Sequence, residues 1–232
     1  EATKNEALTV LPGDNISVVN PGVDCKLFAP NPSIKAEARG KLGLAREDFV
    51  LVTVGRIVAR KNHELVLLAL TTLSRQSKFS YKYLIVGDGD IEYLKTMVND
   101  FGLQDRVIFH QGGSDIDIRN CLLASDLFVM PTLSSPTDVE GFGIAFIEAA
   151  AAGLPAVCGN SGGQLEAVID GVTGVSIDPQ NADELVIAID ILASNPDLYR
   201  KYSSNALARS QHFNWSSVQE KVWEIRNIHL RK

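Results

Sequence analysis

Apolar runs alternate with amphipathic stretches along most of the 232-residue chain. Phe49-Val50-Leu51-Val52-Thr53-Val54 is an almost unbroken β-branched run, the pattern of a strand covered on both faces. Shorter apolar runs predict strands at 16–19, 83–86, 106–110, 126–130, 156–158 and 172–177. Between them, periodic patterns predict helices at 34–41, from 63 with Leu65, Leu68, Ala69 and Leu73 on one side, at 91–100, 115–124, 144–152 and 164–169. Three more close the chain at 182–193, 197–209 and 216 to about 228. Ser33 and Asn62 are the candidate caps of the first two helices, and Gly153 followed by Pro155 is a stop signal after the fifth. Strand and helix thus alternate about six times, which implies right-handed βαβ units and an α/β fold with a doubly wound parallel sheet. No internal repeat or low-complexity linker interrupts it. Residues 1–15 read as a linker or partly ordered leader, and 16–232 as one domain. Ligands of such sheets sit beyond the carboxyl ends of the strands, which directs attention to the loops at Gly55, Gly87, His110, Pro131 and from Gly159 onward.

Composition narrows the function. A hydrophobic fraction of 45% with 22% charged residues excludes a disordered chain, and a net charge of −6 argues against a broad nucleic-acid surface while leaving room for a small local anion site. Cys25, Cys121 and Cys158 are scattered, with neither a disulfide framework nor zinc spacing, and fit a reducing cytoplasm. No apolar run approaches the roughly 20 residues that span a bilayer. The chain opens Glu-Ala-Thr-Lys, without Met or a signal pattern, and reads as a piece of a longer protein.

Three loops carry candidate chemistry. Gly55-Arg56-Ile57-Val58-Ala59-Arg60-Lys61 lies between a buried strand and a helix N-terminus. Its three cations oppose the helix dipole, at roughly 0.3–1 kcal/mol each, unless an anion binds there. A solvated basic loop is the plainer reading. In the second loop, Asp138-Val139-Glu140-Gly141-Phe142-Gly143 leads into a helix from Ile144 that is Ala-rich and carries Glu148, the single charged residue between Gly141 and Leu165. A carboxylate on so apolar a helix needs hydrogen-bond donors. Taken one at a time, Glu148 could be a structural ion pair and Glu140 an exposed loop acid. In the third, Gly159-Asn160-Ser161-Gly162-Gly163 matches G-x-S-x-G, the nucleophile elbow of α/β-hydrolases, and Asp178 and His212 follow in the required order. That rival leaves Arg56, Lys61 and Glu148 unexplained and puts His212 among polar helix-end residues. Gly87-Asp88-Gly89 lacks the third glycine of a dinucleotide fingerprint, and no metal-ligand spacing occurs. His110, at a strand end, is a candidate substrate contact; for it and His63, a hydrogen-bonded loop histidine is the plainer reading.

With Arg56, Lys61, Glu140 and Glu148 in place, the chain resembles the retaining glycosyltransferases of family 4, and within them the C-terminal, Rossmann-like half of the GT-B fold. The likeness runs from Ile16 to the last helix. It is carried by Val19-Asn20-Pro21-Gly22-Val23-Asp24, the Gly55 to Lys61 loop, Val86-Gly87-Asp88-Gly89, and the stretch from Glu140 through Glu148 to Pro155. Asn62 stands where the family commonly has Gly. The resemblance implies that Arg56 and Lys61 bind the diphosphate of a nucleotide sugar, Glu140 contacts the donor sugar, and Glu148 holds the ribose hydroxyls. Gly55 and the backbone of Phe142, Gly143 and Ile144 would complete the donor contacts, and no metal or other cofactor is implied. It further implies hexosyl transfer with retention to an acceptor sugar, lipid or small molecule. That acceptor would be held by an N-terminal domain missing here, so the chain alone would be inactive. The setting would be the cytoplasm, with room for peripheral membrane association of the full-length protein. A sugar-nucleotide epimerase and a non-catalytic nucleotide-binding module of the same fold are the alternatives; the latter should have lost one of the four residues named.

Overall fold

The computed structural model describes residues 16–135 and 140–230, so the segment 1–15 and Asp138-Val139 of the second loop lie outside the described residues. Six strands form one sheet: β1 (Asp48–Val54), β2 (Ser80–Val86), β3 (Val107–His110), β4 (Leu127–Met130), β5 (Ala156–Gly159) and β6 (Gly174–Ile177). Every pairing is parallel and the order is β3-β2-β1-β4-β5-β6. This is the doubly wound order expected from the alternation, and it places the reversal of strand order between β1 and β4.

The helices are α1 (Cys25–Phe28), α2 (Pro32–Lys41), α3 (His63–Gln76), α4 (Glu92–Asp100), α5 (Asp115–Ala124), α6 (Ile144–Ala151), α7 (Gln164–Ala167), α8 (Ala182–Ser194), α9 (Pro196–Ser210) and α10 (Trp215–Leu230). The period-2 geometry of β1 divides them. Val50, Val52 and Val54 enter a core with α1, α2, α5 and α6, whereas Leu51 enters a second core with α3, α4 and α8. A strand so covered on both faces has no polar side to spare, which is why its sequence is a continuous apolar run.

Three local expectations are corrected. Residues 16–19 form no strand; past Asn20-Pro21-Gly22, Val23 instead makes an isolated bridge to Asn214 and donates to the Phe213 carbonyl at 2.8 Å. Helix α2 starts two residues early because Pro32 occupies its first turn, and the cap is Asn31 rather than Ser33, its side chain accepting from the Ser33 and Ile34 amides at 3.1 Å each. Asn62 sits at the cap position of α3 but makes no side-chain cap; its backbone is left-handed, with φ 58°. That conformation is easiest for Gly and, among residues with a side chain, is favoured by Asn and Asp, so the Asn-for-Gly exchange is a backbone matter. The short helix α1 and the 3-10 turns Ala59–Lys61 and Gln211–Phe213 carry no clear periodic signal and were not expected.

At the amino end of the sheet, polar groups are tied into the scaffold. Asp126 accepts from Lys35 at 2.7 Å, from Arg39 at 3.2 Å and from the Val50 amide at 2.9 Å. Arg39 also donates to the carbonyls of Ala124, Ala45 and Asp48. These bonds close one end of the layer, and the connections at the other end carry the candidate chemistry.

Candidate functional site

The loop after β1 and the loop after β4 flank the reversal of strand order, and together they bring the two sequence clusters into one. The Lys61 ammonium lies 2.6 Å from Oε2 of Glu140, and Nη1 of Arg60 lies 2.6 Å from the same oxygen. Lys61 and Glu140 are 8% and 9% exposed, so this is a buried ion cluster rather than a solvated basic loop. The cations that oppose the α3 dipole therefore have a counter-ion from the protein itself. Arg60, read from sequence merely as one of three neighbouring cations, is a member of the cluster. Adjacency to Lys61 was its only signal.

The charges respond to this packing. Burial would by itself raise the Glu140 carboxyl, but hydrogen bonds and charge from Lys61, then Arg60, outweigh it and hold the group below its ordinary value. Burial is also the main cause that lowers Lys61; Glu140 opposes it, and Arg60 and Arg56 add to it. Arg56 is exposed at the rim, near enough for its charge to be felt at Lys61.

Backbone bonds hold the loops in register. The Leu133 amide donates to the Arg60 carbonyl at 2.9 Å, and the Gly163 amide donates to the Glu140 carbonyl at 2.8 Å. Asn62, instead of capping, donates to the carbonyls of Pro131 at 3.1 Å and Pro179 at 2.7 Å. Gln164, fully buried, accepts from the Gly159 amide and donates to the Thr132 carbonyl. A Cβ on Gly163 would lie 1.8 Å from the Gly141 carbonyl oxygen, so the third glycine-rich loop serves as the seat for the second. Neither Gln164 nor this contact is legible in sequence, since both depend on loops distant along the chain.

Helix α6 follows. Gly143 stands before it with φ 76°, where a side chain would meet the Phe146 ring at 2.7 Å. The Phe142 side chain is buried against the Phe213 ring, at 5.2 Å between centroids, so only its backbone faces the loop edge; Ile144 is exposed beside it. Glu148 is half-buried on α6, and no hydrogen bond from another described residue supports it. Burial, with a smaller contribution from Asp115, pushes its carboxyl up to about 7. Gly55 sits at the head of the basic loop, 3.5 Å from the Lys61 stem as measured from an ideal Cβ.

One candidate contact, His110, and the residues of the rival hydrolase reading stand apart. His110 ends β3, two strand spacings or roughly 10 Å across the sheet from β1. It lines a cleft of about 180 Å³ between α2 and α5 with Lys41, Asp117 and Arg119, and does not join the Lys61–Glu140 cluster. Ser161 donates to the Ser134 hydroxyl at 3.0 Å, Asp178 accepts from the Gln180 amide, and His212 lies exposed in the 3-10 turn after α9. The hydrolase triad is therefore not assembled. His63, by contrast, is hydrogen-bonded as expected, though it opens helix α3 and does not lie in a loop: it is buried, Nδ1 lies 2.9 Å from the Tyr83 hydroxyl, and burial followed by Lys61 lowers it to about 4. Among the described residues, no group of three or more His, Cys, Asp or Glu is arranged to hold a metal ion.

Known proteins resemble this chain in sequence and in fold. Over 178 residues the chain is 35% identical to the GDP-mannose-dependent alpha-(1-6)-phosphatidylinositol monomannoside mannosyltransferase of Mycolicibacterium smegmatis, covering 76% of this chain and 46% of that protein. The crystal structure of Anabaena HepE in complex with UDP and glucose superposes with a TM-score of 0.81 at 27% identity, covering 91% of this chain and 56% of that one. The C-terminal domain of a glycosyl transferase group 1 family protein from Francisella tularensis shares the fold, with a TM-score of 0.69 at 21% identity over 81% of this chain and 95% of that one. The chain thus spans about half the length of the curated relatives it matches. The profile described as "Glycosyl transferases group 1" matches residues 34–209, from α2 through α9 and across the whole of the site, and the chain belongs to that family, with the Rossmann-like α/β domain of GT-B glycosyltransferases.

Proposed function

We propose that this chain is the nucleotide-sugar-binding domain, within residues 16–232, of a retaining, metal-independent hexosyltransferase. The carrying observation is the Lys61–Glu140 pair at the carboxyl edge, where strand order reverses between β1 and β4. Arg56 and Lys61 hold the donor diphosphate, Glu140 faces the donor sugar, and Glu148 accepts from the ribose hydroxyls. The leaving diphosphate gains charge as its bond to the sugar breaks, and cations fixed beforehand stabilise that charge without reorganising. They supply the positive charge that a metal supplies in other transferases. GDP-mannose, named for the mycobacterial relative, and UDP-glucose, whose parts are named in the Anabaena complex, are the donor classes to try first.

The acceptor, a sugar, lipid or small molecule, is held by a further domain of the full-length protein, so this chain alone binds nucleotide and transfers nothing. Three buried, unpaired thiols support a cytoplasmic setting. The lipid-linked substrate in the mycobacterial relative's name supports peripheral association of the full-length protein with a membrane. Calorimetry of this chain with GDP and UDP tests the donor site; binding of neither overturns it. Product anomeric configuration, with and without chelator, tests retention and metal independence in the full-length protein. Sugar transfer by the chain on its own would refute the division of labour.

A further inference from the structure

We infer that Arg60 is a positioning residue that keeps the Glu140 carboxylate in place while Lys61 turns to a nucleoside diphosphate. The inference rests on the donor-binding reading above. Both cations meet one oxygen, Oε2, at 2.6 Å each, and no described residue donates to Oε1. Glu140 is buried. Were Lys61 its sole partner, drawing the ammonium towards a phosphate would strand a buried charge, a costly event. A second cation on the same oxygen removes that obstacle.

The two cations suit different tasks. A guanidinium is a rigid planar fork, and an ammonium is a point charge on a flexible stem with three donors. Arg60 is anchored through its carbonyl to the Leu133 amide, and Glu140 through its carbonyl to the Gly163 amide. The Arg60–Glu140 pair therefore spans two loops whose backbones are already fixed, while Lys61 is free to share its donors. Oε1 stays available for the sugar.

A double-mutant cycle tests this, using GDP and UDP calorimetry on this chain, Arg60→Ala, Glu140→Gln and the double variant. Arg60→Ala in the native background is expected to weaken diphosphate binding about tenfold. In the Glu140→Gln background, the same change should cost at most about threefold, the general loss of one positive charge. An equal loss in both backgrounds would mean that Arg60 touches phosphate itself, and the inference falls while the donor site stands. If the native chain binds neither nucleotide, the donor-binding reading falls and takes the inference with it. Should Arg60→Ala not fold, Arg60→Gln, which keeps the stem and a donor, runs the same cycle.

Discussion

Glu140 and Glu148 are separated by seven residues and one short loop, yet they sit in opposite electrostatic settings. Glu140 is buried, and it is held ionised by Lys61 and Arg60. Glu148 is half-buried, with no described residue donating to it and the charge of Asp115 adding to the effect of burial, and it is pushed up to about 7. Burial pushes both carboxyls up, and the partners that the surrounding loops deliver decide which of them is held down. The protein supplies counter-ions to one carboxylate from its own residues. At the other, the donors that an ionised carboxylate requires would come from a ligand, and ribose hydroxyls are of the right kind.

That contrast can be broken most sharply at Glu140. In the full-length protein, Glu140→Ala should lower kcat by roughly 10²–10³, since its contact strengthens as the sugar gains positive charge. Binding of free GDP or UDP should survive. Steady-state kinetics beside nucleotide titration decide it; loss of free-nucleotide binding with kcat intact would reverse the roles of the two acids. Next in size, Lys61→Ala should weaken diphosphate binding roughly ten- to a hundredfold while leaving nucleoside binding unchanged. Equal losses for both ligands in calorimetry would show that the ammonium does not reach phosphate.

Glu148 sharpens the comparison through pH. Its folded value, about 7, lies above the ordinary 4.5, so the folded state holds the proton more tightly than the unfolded chain does. Stability is then highest below about 4.5 and declines as pH rises through 7, by at most about 3 kcal/mol from this group. Glu148→Gln should therefore raise the melting temperature of the unliganded chain at pH 8, by about 2–4 °C per kcal/mol recovered, and change little at pH 5. A gain of the same size at both pH values would mean that the carboxyl is not the cause. Smallest of all, Ser161→Ala removes one hydroxyl–hydroxyl bond and should leave transfer by the full-length protein within about twofold. Covalent labelling of Ser161 by a serine-directed inhibitor would restore the hydrolase reading.

Much of the fold was legible because its signals are local. The apolar run of β1, the period of α3 and the stop after α6 follow from residues within one element, and α5 has the very limits expected from its pattern. Where a neighbour competes with a local rule, sequence reasoning failed. Pro32 moved a cap to Asn31, and Val23 drew the first segment to the Phe213 turn and away from the sheet. Asn62 gave its side chain to two proline carbonyls and left its helix uncapped.

The site divides along the same line. Residue types and spacing by themselves determined that a basic loop and an E-x₇-E segment would lie at the carboxyl edge of a parallel sheet, because the connections of such a sheet emerge there. Only the tertiary structure decided that Arg60 and Lys61 share one oxygen of Glu140 across 80 and 79 positions of chain, that His110 faces a different cleft, and that Ser161 meets a serine. Those outcomes depend on which loops pack together and what they bury. An ion pair's strength, and the charge state of each acid, are set by that enclosure, which no local stretch of sequence contains.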